Sequence, residues 1–186
     1  MVLAAPVKGW TSDEILRKEK QDHESYELID GVLVRRCVSA ESVETGTEIG
    51  GHVWTFVRAH QLGRCFGADL HVAIFPDGSH RKPDFAFVKK GRLGPGRHPV
   101  LTIAPDLVVE AVSPGDSQSE VRAKADLWLS AGMTLVWVAQ PETREITVYR
   151  RGERPRLLIA EDTIDGSDVL PGFTALVGSL FPDFEE

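Results

Sequence analysis

The residues best placed by type and spacing to do chemistry are Glu110, Asp84 and Lys124. Glu110 interrupts Leu-Val-Val-Glu-Ala-Val at 107–112, a run apolar on both faces that reads as a central, buried strand. A carboxylate in such a strand costs roughly several kcal/mol unless something compensates it. Two resolutions exist: Glu110 lies at the strand end and pairs with an arginine, or it ligates a metal or works as an acid/base group.

Asp84 follows Pro83, which forces extended backbone ahead of it and lacks an amide donor. It opens Asp-Phe-Ala-Phe-Val, whose alternation sets Asp84, Ala86 and Val88 on one face and both phenylalanines on the other. Alone, a Pro-Asp pair reads as a turn. Beside Glu110 it becomes half of a site, because two strands that each bring one carboxylate to a shared rim suit a hard, oxygen-preferring cation such as Mg²⁺.

Lys124 falls on the helix expected after Glu110. With Val121 at zero, Ala125, Trp128, Leu129 and Gly132 lie between about −20° and +80°, and Lys124 lies near −60°, on the border of the buried face. Its ammonium either pairs with Glu120 one turn away, worth a few tenths of a kcal/mol, or reaches the carboxylates and holds an attacking water.

The elements that must position these groups are legible in outline. Thr11 and Glu14 have capping-box spacing before a short helix to about Lys20. Asp30-Gly31 between two β-rich runs predicts a hairpin. A helix is expected over about 44–61, its first half weakened by Gly50 and Gly51. Strands are predicted over 65–75, 84–88, 107–112, 135–139 and 145–150, with a Gly/Pro/basic loop at 89–99. The helix after Glu110 starts at the capping pair Ser117 and Glu120 and stops near Gly132. Beyond Arg156 the pattern weakens into a tail with an acidic end. One mixed α/β domain over 1–186, with its core at about 10–180, is the economical organisation.

Composition is that of a globular chain, with 42% hydrophobic and 26% charged residues, so extended disorder is not expected. No apolar run approaches the roughly 20 residues of a membrane span. The start, MVLAAPVKGW, lacks a basic leader region and is interrupted by Pro6 and Lys8, so it reads as mature sequence. Cys37 and Cys65 have no zinc-spaced partners, and reduced thiols in a cytoplasmic protein are expected. The net charge of −7 is uneven: residues 80–98 carry six cations against Asp84, a local +5 that leaves −12 elsewhere. Lys82, Lys89, Lys90 and Arg92 in that stretch could meet phosphates, or form an ordinary solvated loop.

Taken in order, Tyr26-Glu-Leu-Ile-Asp-Gly31, Lys82-Pro-Asp-Phe-Ala-Phe87, Pro105-Asp-Leu-Val-Val-Glu-Ala-Val-Ser-Pro114, Lys124, Ala131-Gly-Met-Thr-Leu-Val-Trp137 and Leu170-Pro-Gly-Phe173 resemble the Uma-type restriction endonuclease family. The resemblance covers roughly residues 10–180. It implies the PD-(D/E)XK nuclease superfamily and its restriction-endonuclease-like mixed sheet flanked by helices. It also implies that Asp84 and Glu110 are the two acids, that Glu27 is an additional site carboxylate, and that Lys124 replaces a lysine usually found two residues after the second acid, where this chain has Val112. Family members often carry a histidine where the first long helix begins; here Ser42 stands there.

The function expected from this resemblance is a Mg²⁺-dependent endonuclease acting on DNA, with Mn²⁺ able to substitute. A homodimer is expected because double-strand cleavage needs two sites. The rival reading is a nuclease-fold binding or scaffold protein that cleaves nothing, and a third has both carboxylates merely paired with arginines.

Overall fold

The computed structural model describes residues 9–183. The leader reading of the first eight residues and the acidic end at 184–186 lie outside the described residues. Helix α1 (Ser12–Asp22) starts at a full capping box, with Thr11 and Glu14 satisfying each other's backbone N–H groups. The hairpin β1 (Tyr26–Ile29) and β2 (Val32–Arg35) turns at Asp30 and Gly31, whose φ values of 49° and 79° suit a two-residue primed turn.

Helix α2 (Ala40–Ala59) begins four residues earlier than the apolar pattern predicts, because the Ser39 hydroxyl accepts from Ser42 N and caps it there. Next come β3 (Gly63–Phe66), β4 (His71–Val72), β5 (Phe85–Lys89), β6 (Val100–Leu101) and β7 (Leu107–Ala111). The strand expected over 65–75 is therefore two, broken by a turn in which Leu70 N donates to Gly67 O. Helix α3 (Gln118–Ser130) has the Ser117–Glu120 capping box, and Gly132 (φ 114°) follows its end. The chain then forms β8 (Leu135–Gln140), β9 (Glu145–Arg150), β10 (Arg156–Leu158), β11 (Thr163–Asp165), β12 (Thr174–Leu176) and a 3-10 turn, Val177–Leu180.

Six strands make one mixed sheet in the order β10-β9-β8-β7-β5-β3, with β7 and β8 parallel and the other neighbours antiparallel. Pleating sends alternate side chains to opposite faces. Phe85, Phe87, Leu107, Val109 and Trp137 meet Ile49, Val53 and Val57 of α2. Ala86, Val88, Val108, Val136 and Val138 meet Ala125 and Trp128 of α3. The result is a helix–sheet–helix sandwich of the restriction-endonuclease-like type, as the sequence implies.

The region beyond Arg156 corrects the sequence reading. It is no tail: Ile164, Val169, Leu170, Phe173, Val177, Leu180 and Phe181 are buried on the α2 face of the sheet. Strands of three residues are too short to show a period, which hid them.

Two glycines in α2 set how closely it lies on the sheet. A Cβ at Gly46 would sit 2.9 Å from Asp84 Cβ, and one at Gly50 would sit 2.6 Å from the Phe85 ring. The residues that weaken the helix by propensity are the ones that let it approach the strand next to Asp84. Gly51, by contrast, faces open space.

Candidate active site

Asp84 sits immediately before β5, and its backbone N donates to Val109 O across to β7 (3.1 Å). Its carboxylate is buried: Oδ2 accepts from Ala111 N at 2.7 Å, and Oδ1 is ion-paired with the Arg36 guanidinium. Glu110, on β7, is 4% exposed. Its Oε1 accepts from Trp128 Nε1 at 2.7 Å, while Lys124 Nζ lies 2.6 Å from Oε2 as an ion pair without hydrogen-bond alignment. Because Lys124 and Trp128 are one turn apart on α3, they reach the same carboxylate.

Electrostatics tie these groups together. Burial is the main force pushing the Glu110 carboxyl up to about 7; Lys124 pulls it back, and the negative charges of Asp84 and Glu27 add to the rise. Burial lowers the Lys124 ammonium, but Glu110, with Glu27 and Asp84, outweighs this and leaves it raised. At neutral pH Lys124 is therefore a cation, and Glu110 gives up its proton less readily than an ordinary carboxyl.

Glu27 belongs to the same place. Its Oε1 accepts from Lys82 N at 2.7 Å, and Arg81 Nη1 lies 3.9 Å from Oε2. A cavity of about 170 Å³ is lined by Glu27, Arg36, Ser42, Asp84, Asp116 and Lys124 among others. A smaller hollow of about 90 Å³ reaches Glu110 and shares Lys124 and Asp116 with it. The structure thus brings Asp84, Glu110, Lys124 and Glu27 together. Ser42 is buried at the start of α2, its hydroxyl 3.1 Å from the Ser113 hydroxyl.

The expected phosphate contacts lie elsewhere. Lys82 is 2% exposed, its ammonium held by Glu19 Oε1 (2.6 Å) and Ser25 Oγ (2.9 Å), so a phosphate-contact role for it is corrected to an internal ion pair. Lys89 closes β5 at the end opposite Asp84, about 17 Å away at a strand's rise per residue. Its Nζ donates to Asp168 O (2.8 Å), and Arg92 pairs with Asp106 at 2.7 Å. Lys89 and the exposed Lys90 share a shallow basin of about 570 Å³ with Arg58 and Arg64.

Sequence reasoning missed Arg36, since an arginine after a hairpin carries no spacing signal. It placed Trp128 in the core and not on Glu110, although the one-turn offset from Lys124 held that information. The Glu120 alternative for Lys124 is corrected, because the Glu120 carboxylate accepts from Ser117 N and Oγ to cap α3. The reading with both acids on arginines holds for Asp84 alone. Among the described residues, no group of three or more His, Cys, Asp or Glu side chains is arranged as a metal-ligand cluster, and no helix is long and apolar enough to cross a membrane.

An open-edged mixed sheet between two helices, with two buried acids on adjacent strand ends and a helix lysine on one of them, defines a protein of the restriction-endonuclease-like nuclease fold. A crystal structure described as "a putative nuclease belonging to DUF820" from Anabaena variabilis ATCC 29413 shares this fold, with a TM-score of 0.75, 19% identity, and 86% of this chain and 90% of that chain covered. The chain belongs to the Uma2 family, described as "Putative restriction endonuclease", whose model matches residues 12–178. No curated protein matches it.

Proposed function

We propose that this protein is a divalent-metal-dependent endonuclease that hydrolyses phosphodiester bonds in DNA. The observation that carries the reading is Glu110, buried on a central strand beside Asp84 with its pKa raised to about 7. A carboxylate in that position destabilises the apo fold, and a cation shared with Asp84 relieves the cost.

The donor chemistry fits Mg²⁺ or Mn²⁺. Asp84 and Glu110 offer hard oxygens on adjacent strand ends, with only the exchangeable Lys124 ammonium on Glu110 Oε2. Asp84 and Glu110 would hold the ion, and the chemistry it supplies when bound is polarisation of the scissile phosphate and a lowered pKa for water. Lys124 holds the attacking water at its ammonium and stabilises charge on the phosphate, while Trp128 Nε1 and Ala111 N orient the two carboxylates. Lys89, Lys90 and Arg92, with Arg58 and Arg64 of the same end, contact phosphates distant from the scissile one and give salt-dependent, sequence-blind affinity. A single-domain protein, cytoplasmic and dimeric so that two sites address two strands, completes the reading.

The test is cleavage of duplex, single-stranded and branched DNA with Mg²⁺ or Mn²⁺. Activity lost in Asp84→Ala and Glu110→Ala, with folding intact, is the expected result; no cleavage of any substrate by the wild type defeats it. One observation favours a non-cleaving binding protein instead, namely that Arg36 already neutralises Asp84. Absence of Mn²⁺ binding by calorimetry together with unchanged affinity for uncut DNA in Asp84→Ala is the outcome that reading requires.

A further inference from the structure

We propose that Arg36 is the phosphate-binding residue of this site, parked on Asp84 and released to the substrate when a divalent cation takes that carboxylate. The inference rests on the nuclease reading and adds to it that metal and DNA bind cooperatively through one named side chain.

The argument begins with how Arg36 is held. Its backbone follows β2 and is fixed, with Arg36 N donating to Ser25 O at 2.8 Å. One limb of the guanidinium, Nη1, donates to Ala68 O at 3.0 Å, and the other, Nη2, pairs with Asp84 Oδ1. The side chain is 11% exposed and lines the 170 Å³ cavity with Glu27, Asp84 and Lys124. A planar fork can exchange a carboxylate for a phosphate with little change of geometry, which an ammonium cannot do.

Charge then decides what moves. Four carboxylates, Glu27, Asp84, Glu110 and Asp116, face three cations, Arg81, Arg36 and Lys124, so the fully ionised site carries −1. A divalent ion entering this largely buried cluster alone leaves it at +1, which opposes binding. A phosphodiester entering alone meets four acids whose counter-ions are already engaged. Together they bring +2 and −1 and satisfy each other, so each strengthens the other.

Of the cations around the cavity, Arg36 is the one whose planar fork can make the exchange. Lys124 is a point charge beside Glu110, Arg81 lies toward Glu27, and Arg35 pairs with Glu24 at 2.7 Å with 63% of its side chain exposed. The carboxylate that Arg36 occupies is also one the cation needs. A cation held by Asp84 would displace the guanidinium into the cavity that a phosphate would enter.

The experiment uses Ca²⁺, to keep DNA intact, and a 20-base-pair duplex, with wild type, Arg36→Gln and Arg36→Lys. Calorimetry gives the Ca²⁺ affinity, anisotropy gives the duplex affinity with and without Ca²⁺, and thermal melting checks folding. For wild type, Ca²⁺ should tighten duplex binding within the roughly 5- to 150-fold range of typical couplings. In Arg36→Gln the Ca²⁺ affinity should rise several-fold, because the competing cation is gone, while the coupling falls several-fold, to what the opposite charges of cation and duplex supply by themselves. Arg36→Lys should keep wild-type Ca²⁺ affinity to within about twofold and lose most of the coupling, since it competes as a charge but lacks the fork.

A merely structural arginine would lower both affinities together; opposite signs in one variant are the signature. If the wild type binds Ca²⁺ but Arg36→Gln binds it no tighter, or keeps the coupling, the proposal is overturned and the nuclease reading stands. If neither protein binds Ca²⁺ at millimolar concentration, both fall. Should Arg36→Gln fail to fold, wild-type coupling in Arg36→Lys overturns the proposal by itself.

Discussion

Replacing Glu110 by glutamine should stabilise the metal-free protein at alkaline pH. The carboxyl titrates near 4.5 in an unfolded chain and is pushed to about 7 by burial in the folded one. Between those values the folded state holds a proton that the unfolded state has lost, so the stability this group contributes is complete below pH 4.5 and disappears as pH rises through 7. At about 1.4 kcal/mol per pH unit, the shift is worth on the order of 3 kcal/mol. Glutamine mimics the protonated form, and its amide oxygen can still accept from Trp128 Nε1. Lys124 then loses its partner, and the burial around its ammonium offsets part of the gain.

Glu110→Gln should therefore exceed the wild type by roughly 1–3 kcal/mol at pH 8 and converge with it near pH 4.5, a difference of about 2–4 °C in Tm per kcal/mol. Urea titrations at pH 4.5, 6, 7 and 8 in EDTA give the curves. Added Mg²⁺ should raise the wild type at pH 8 and leave the variant nearly unmoved, since only a ligand of the folded state stabilises it. A variant no more stable at pH 8, or a gap that does not change with pH, would refute the burial argument.

Gly46→Ala places a methyl group 2.9 Å from Asp84 Cβ and should cost about 1–3 kcal/mol in urea unfolding while weakening Mn²⁺ binding, whereas Gly51→Ala, facing open space, should do neither. Lys82→Met takes the ammonium from half-buried Glu19, which keeps Tyr26 N and His71 Nε2 as partners, and should cost about 1–3 kcal/mol; the dependence of DNA affinity on salt should stay as in the wild type. Lys90→Ala should show the reverse, with stability within about 0.5 kcal/mol and the log–log salt slope reduced by about one.

The parts of this molecule that local chemistry dictates are legible in the sequence. The Asp30-Gly31 turn and both capping boxes are short-range patterns, each satisfied within four residues. Glu110 stood out because a charge in an apolar strand demands a partner, and Asp84 because it shares the rim. Long-range pairings were hidden. Lys82 reads as one cation among six in its stretch, and nothing in that count reveals Glu19, 63 positions away, closing over its ammonium. Arg36 meets Asp84 across 48 positions through a loop of no marked composition. Equally, Lys89 and Lys90 follow Asp84 closely in the chain, yet a strand of five residues carries them to the other end of the sheet.

The most direct test is a crystal soaked in Mn²⁺ at pH 8 with anomalous data recorded at the manganese edge. A peak between the Asp84 and Glu110 carboxylates, with the Arg36 guanidinium moved off Asp84, is what this account predicts. Density showing Arg36 still on Asp84, and no manganese at either carboxylate, would contradict it.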